Sequence, residues 1–351
     1  MVENIYQRSP QITAPPKHQT ILLMVSVDRS SDLILLLTHS GDFFTIDRVF
    51  AALLEQGVQP IRIDTDLFPV EIELAAEFSH GGTPEYRLNY QSDSIDPQQV
   101  KAVWLRRLWQ PKLSPQLSPQ FYAACVRESS TTLNNFWDSL RHVRWIDRLE
   151  AVSAAENKLR QLRIATEIGL QIPRTLVTNS PDRLREFYSA VDGKMVAKLQ
   201  TPLSTGMQGS SFFMYTSQVE PADLLAADTL RHSPMMFQAL IPKLREFRVI
   251  CVGKEVFVGA LDATKYAGET LDWRNSAECS WEHGTLPDRI TKYLQIMLTK
   301  LDLTFGAFDL IQTPDDEYIF LEINPSGEWG MLERDLDYPI AAAIAKSLIE
   351  P

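Results

Sequence analysis

Residues 305–325 read Phe-Gly-Ala-Phe-Asp-Leu-Ile-Gln-Thr-Pro-Asp-Asp-Glu-Tyr-Ile-Phe-Leu-Glu-Ile-Asn-Pro, two apolar runs around the turn-forming Thr313-Pro314-Asp315-Asp316. No other stretch constrains the chain as much, because this pattern folds as a β-hairpin. Asp309 lies six residues before Asp315, and Glu322 lies six after Asp316. In a hairpin centred on that pair the two carboxylates face each other across the ladder. Asn324, two residues on, shares the face of Glu322. Phe308, Leu310, Leu321 and Ile323 take the opposite face and enter a core. Two acids and an amide on an apolar hairpin are costly to desolvate unless a cation sits among them. Hard oxygen donors in that number suit Mg²⁺, which takes a few carboxylates and completes its shell with substrate phosphates. The alternative is a half-exposed hairpin with solvated acids, which would not need so apolar a setting.

At 351 residues the chain is long enough for two or three domains and a large core. The net charge of −11 argues against general nucleic-acid binding and leaves room for a local basic cleft. Cys125, Cys251 and Cys279 are widely spaced and form no CxxC, so neither a disulfide frame nor a zinc site is indicated. Reduced thiols in the cytoplasm are the simplest account. Leu33–Leu37 is too short to span a bilayer, and no membrane association is expected. Residues 1–19, with Pro10, Pro15 and Pro16, read as a disordered tail.

Alternating strands and helices predict an α/β or α+β assembly. Leu33–Thr38 (strand), Asp42–Gln56 (helix closed by Gly57) and Pro60–Asp64 (strand) make a βαβ opening. Lys101–Arg107 reads as a strand ending in an Arg-Arg pair, and Phe121–Leu140 as a long helix. Domain limits are expected at 20–148, 149–235 and 236–351. Ser153, with Glu156 completing a capping box, is expected to start a helix that runs through Ile168 and stops at Gly169. Ser180-Pro181-Asp182 opens the next helix. Strands are expected at Arg174–Thr178, Met195–Gln200, Ser211–Thr216, Met236–Ile241, Glu246–Val252 and Glu255–Asp262, with a helix at Pro287–Leu301.

Phosphate arriving with a metal calls for cationic side chains. Lys198 sits at the end of an apolar strand, where a lysine must snorkel or meet an anion. Lys158 lies on the expected 154–168 helix, where a solvated lysine is the simple alternative. Arg248 shares a strand face with Glu246, so an ion pair within the strand is its simple alternative. The Gly206/Gly209 loop permits close backbone approach to phosphates but matches no P-loop.

Lys158, Lys198, Gln238-Ala-Leu-Ile-Pro242, Arg248, Asp309 and Leu321-Glu-Ile-Asn-Pro325 follow in an order and approximate spacing that resembles the ATP-grasp ligases. The closing Glu322–Glu333 segment, the Val103-Trp-Leu-Arg-Arg107 strand and Leu271-Asp-Trp-Arg274 resemble the microviridin-type (graspetide) peptide-cyclising members. The resemblance implies an ATP-grasp fold with an N-terminal βαβ pre-ATP-grasp domain. ATP and Mg²⁺ would be the cofactors and a ribosomally made precursor peptide the partner, in a cytoplasmic homodimer. Lys158 and Lys198 would reach the phosphates, and the backbone of Gln238, Ala239 and Leu240 would border the adenine. Asp309, Glu322 and Asn324 would hold Mg²⁺, while Arg248 and Arg274 would stabilise the transferring phosphoryl group. Arg106 and Arg107 would steer an acidic core peptide, with surface ion pairs as the alternative. The Gly327–Glu333 segment looks more like amide-forming members, with Glu328 or Glu333 as the group that takes the lysine proton. Two other readings remain open: a ligase that adds free amino acids to a peptide or small carboxylate, and a non-catalytic nucleotide- or peptide-binding scaffold. Substrate mass separates the first, and nucleotide turnover the second.

Overall fold

Leu33–Thr38 (β1), Thr45–Glu55 (α1) and Pro60–Asp64 (β2) form the opening unit of a computed structural model that describes residues 33–200, 216–265 and 280–350. β1 pairs with β2 in parallel, and its apolar run is buried on both faces, as a parallel strand requires. α1 begins at Thr45, three residues later than expected. The cause is Phe44, held at φ 62°, ψ −71° in a tight turn closed by Thr45 N–H donating to Phe43 O at 2.8 Å. Asp42 stays outside the helix, where its carboxylate accepts from the Thr38 hydroxyl at 2.5 Å.

Ile72–Glu77 (β3), Glu85–Tyr90 (β4) and Asp93–Ile95 (β5) make a small antiparallel sheet. Val100–Leu105 (β6) returns parallel to β1. Tyr122–Ser139 (α2) then leads to Arg144–Ile146 (β7), which completes a parallel sheet of order β2-β1-β6-β7. The single helix expected from Ser153 is instead two, Leu149–Ala155 (α3) and Lys158–Ile168 (α4). Ser153 lies inside α3. Asn157 is the N-cap of α4, its side chain accepting from Arg160 N–H at 3.0 Å. Gly169 ends α4 at φ 90°, as expected.

Thr175–Thr178 (β8), Pro181–Ala190 (α5, capped by Ser180 as expected), Met195–Lys198 (β9), Ser217–Gln218 (β10) and Met235–Ala239 (β11) build a second sheet, ordered β10-β9-β11-β8. This sheet continues past residue 235, because β11 pairs with both β8 and β9. Arg245–Val252 (β12), Glu255–Asp262 (β13), Glu282–His283 (β14), Asp288–Leu301 (α6), Phe305–Gln312 (β15) and Tyr318–Asn324 (β16) follow. Their antiparallel sheet has the order β14-β13-β12-β15-β16, and Gly330–Leu336 (α7) and Ile340–Ile349 (α8) end the chain. The fold is α+β, with one parallel and three antiparallel sheets among the described residues.

One core joins the parallel and five-stranded sheets: Ile34, Leu36 and Trp104 pack with Ile250, Phe305 and Trp329 and with Ile340 and Ile344 of α8. Asp147 reinforces that joint by accepting from Thr304 N–H at 2.7 Å and Phe305 N–H at 3.0 Å. The central sheet has its own core around Leu184, Met195 and Phe237. None of the described helices is long and apolar enough to cross a membrane. The tail at 1–19, the Gly206/Gly209 loop, the strand residues 211–215, Cys279 and the 271–274 segment with Arg274 lie outside the described residues.

Candidate active site

β15 and β16 pair with Asp309 opposite Glu322 and Ala307 opposite Asn324, the facing expected from the turn. The register shifts between Asp309 and Leu310, and Leu310 pairs with Phe320. Leu321 is therefore an extra residue in a bulge. Fully buried Phe320 takes the core position expected for Leu321, beside Phe308, Leu310 and Ile323. The bulge leaves Asp309, Glu322 and Asn324 half-buried on the other face.

β12 supplies the first cation. Arg248 pairs directly with Asp309 across the ladder and is only 7% exposed. Its Nη1 donates to both Asp309 oxygens, at 2.8 and 2.9 Å, and its Nη2 and Nε donate to Glu328 O at 2.9 and 3.2 Å. The alternative pairing with Glu246 is not formed; Glu246 accepts from Lys243. The second cation is Lys158, the first residue of α4, whose Nζ donates to Glu322 Oε2. One turn on, buried Gln161 fixes α4 to β16. Its amide donates to Ala155 O at 2.7 Å and Ile323 O at 2.8 Å, and its Oε1 accepts from Ile323 N–H at 3.1 Å.

The donor set is two carboxylates and one amide oxygen; among the described residues no cluster of three His, Cys, Asp or Glu side chains converges as a metal site. That composition fits Mg²⁺, which takes few protein ligands and keeps phosphate and water oxygens in its shell. Asn324 Oδ1 accepts from Ser326 N–H at 3.0 Å, which holds the amide oriented and leaves it a lone pair.

The loop after β16 is gripped from β6. Arg106 is 2% exposed, so it is neither a surface ion pair nor a steering group. It donates to Ser326 O at 2.7 Å, Glu328 Oε2 at 2.6 Å and Thr45 Oγ1 at 3.3 Å, joining the parallel sheet to the metal-face loop. Arg107, half-buried beside it, donates to Ser326 O at 3.0 Å. Glu328 also caps α7, accepting from Gly330 N–H at 2.9 Å and Trp329 N–H at 3.2 Å. Buried Glu333 accepts from Arg48 Nε and Ala341 N–H, both at 2.7 Å. Glu333 is therefore structural and not a base for lysine, and Glu328 is committed to its own donors. Gly327 is required by crowding: a Cβ there would stand 2.4 Å from Ala307 Cβ and 2.7 Å from Arg248 Nη2.

Lys198 and Gln238–Leu240 lie on the separate central sheet. Lys198 is half-buried at the end of β9. Gln238 donates to Thr175 Oγ1 at 3.1 Å, while Ala239 N–H and Leu240 N–H are bonded to Arg174 O and Lys194 O at 2.9 and 2.8 Å. Neither N–H remains for a nucleotide base. The hairpin, Arg248 and Lys158 thus come together, whereas Lys198 and Gln238–Leu240 belong to the interior strands β9 and β11 of another sheet and the segment that follows.

The description "MvdD pre-ATP grasp domain" matches residues 33–153, and "RimK-like ATP-grasp domain" matches residues 155–348. The chain is 53% identical to the crystal structure of macrocyclase MdnB from Microcystis aeruginosa MRC, with TM-score 0.79, covering 91% of this chain and 100% of that one. Macrocyclase MdnC from the same organism, bound with precursor peptide MdnA, is 31% identical with TM-score 0.81 over 91% and 100%. A Chryseobacterium gregarium RiPP-associated ATP-grasp ligase in complex with ADP and a leader and core peptide is 30% identical, with TM-score 0.82 over 90% and 96%. No protein among the curated ones matches. The chain belongs to the ATP-grasp ligases, in their graspetide-type macrocyclase group.

Proposed function

We propose that the chain cyclises a ribosomally made precursor peptide at the expense of ATP, with ω-amide closure between a Lys amine and an Asp or Glu side chain. The observation that carries this is Asp309 and Glu322 face to face beside Asn324, each carboxylate held by a cation, in a chain 53% identical to a macrocyclase. Mg²⁺ held by Asp309, Glu322 and Asn324 would neutralise charge on the nucleotide phosphates. Lys158 and Lys198 bind the phosphates, and the backbone of Gln238–Leu240 borders the base. Arg248 holds Asp309 in orientation, and with Arg274 it stabilises the phosphoryl group as it moves to the substrate carboxylate. The acyl phosphate so formed is attacked by the amine of the same peptide, which releases phosphate and closes a ring. The amide preference rests on the resemblance of Gly327–Glu333 to amide-forming members. Cytoplasmic location and a homodimer complete the reading, and light scattering tests the dimer. Incubation of the chain with ATP, Mg²⁺ and precursor peptide MdnA, followed by tandem mass spectrometry, tests the chemistry. Lys→Arg changes in the core should abolish the rings, whereas Thr→Ala changes should leave them.

A further inference from the structure

Arg107 stands out among the cations of the site. Two other arginines of the site are committed: Arg106 to Ser326 O, Thr45 and Glu328, and Arg248 to Asp309 and Glu328 O. Arg107 has one side-chain hydrogen bond, from Nη2 to Ser326 O at 3.0 Å, and makes no ion pair among the described residues. A guanidinium offers five donors in a planar fork, so most of this one is unspent. Desolvation by burial, and then the Arg106 charge, weigh against this cation, while Glu328 and Asp42 offset part of that from beyond ion-pair distance. The residue is also well placed. Ser326, which takes its hydrogen bond, donates its own N–H to Asn324 Oδ1 on the metal face.

We infer that Arg107 receives the substrate's side-chain carboxylate, presenting it from β6 to the phosphoryl group at the β15–β16 face. This rests on the macrocyclase reading and adds to it a carboxylate-binding residue supplied by the N-terminal sheet. Arginine suits the task because its fork grips a carboxylate bidentately, which fixes the attacking oxygen as well as neutralising it.

The probe is precursor peptide MdnA, unchanged and with its core Asp and Glu residues replaced by Asn and Gln. Binding of both forms is measured by calorimetry to the full chain loaded with ADP and Mg²⁺. The thermal midpoint of each variant is checked, and Arg107→Lys serves where Arg107→Gln does not fold. Amidation should weaken binding to the wild type about tenfold, the size of a charge-assisted hydrogen bond. Arg107→Gln should weaken the acidic peptide by a similar factor and leave the amidated peptide nearly unchanged. Arg107→Lys should recover only part of the loss. Equal loss on both peptides overturns the inference, since Arg107 then acts only by holding Ser326. Loss of ADP affinity without peptide coupling also overturns it, by moving the guanidinium to the nucleotide. Coupled binding with MdnA left at its starting mass defeats the macrocyclase reading and leaves the carboxylate site standing. A wild type that does not bind MdnA refutes both.

Discussion

Removing Arg248 should both loosen the hairpin and stop the chemistry, and the structure sets the size of the first effect. Arg248→Met deletes two bonds to Asp309 and two to Glu328 O while keeping much of the buried stem. Stripping one partner from a buried ion pair costs about 3–5 kcal/mol. The Asp309 side chain is 22% exposed, so screening reduces that to about 2–3 kcal/mol. The uncompensated Glu328 carbonyl adds about 1 kcal/mol. Urea denaturation followed by tryptophan fluorescence should therefore show a loss of about 3–4 kcal/mol. Arg248→Lys should fall between the two, keeping the charge and losing the fork. ATP turnover in Arg248→Met should drop by about 10² or more under conditions where the variant is folded. A stability loss under about 1 kcal/mol, or turnover close to wild type, would show that the pair with Asp309 is incidental.

Ala at Asp309, Glu322 or Asn324 should each abolish Mg²⁺-dependent ATP turnover in a folded protein; normal turnover at saturating Mg²⁺ removes that residue from the site. Gly327→Ala should cost about 1–3 kcal/mol through overpacking, and it should lower turnover because Arg248 has to move. Gln161→Leu strands Ala155 O and both backbone groups of Ile323, and should destabilise by about 2–4 kcal/mol in urea. Burial pushes His39 down to about 4 from its ordinary 6.5, so the unfolded chain takes up a proton that the folded chain refuses. Its stabilising contribution is full above about pH 6.5, is lost as pH falls toward 4, and reaches about 3 kcal/mol at most. His39→Gln should flatten stability between pH 7 and 4.5, and an unchanged slope would clear His39.

The hairpin was legible because a strand has a period of two and the turn residues fix its centre, so Asp309, Glu322 and Asn324 could be placed on one face from spacing alone. The bulge at Leu321 was not, since nothing local distinguishes an extra residue from a longer turn. Lys158 is legible as a helical cation, but not the cap of its helix: Ser153 and Asn157 both carry capping side chains, and the helix starts at the second. Arg106 reads as a peptide-steering cation or a surface ion pair because a charge at a strand end is usually solvated. Its burial comes from Ser326 and Glu328, more than two hundred residues away in sequence. Gln161 gave no signal at all, because a glutamine on an amphipathic helix looks solvent-facing until its partner strand is known.

The mass of a precursor peptide after reaction is the measurement closest to the central claim. The full chain with ATP, Mg²⁺ and MdnA should lower the peptide's mass by one water per ring, release one phosphate for each, and do neither once Glu322 is changed to Ala. A peptide that gains the mass of an added amino acid, or stays unchanged while ATP is consumed, would contradict ring closure as the function of this site.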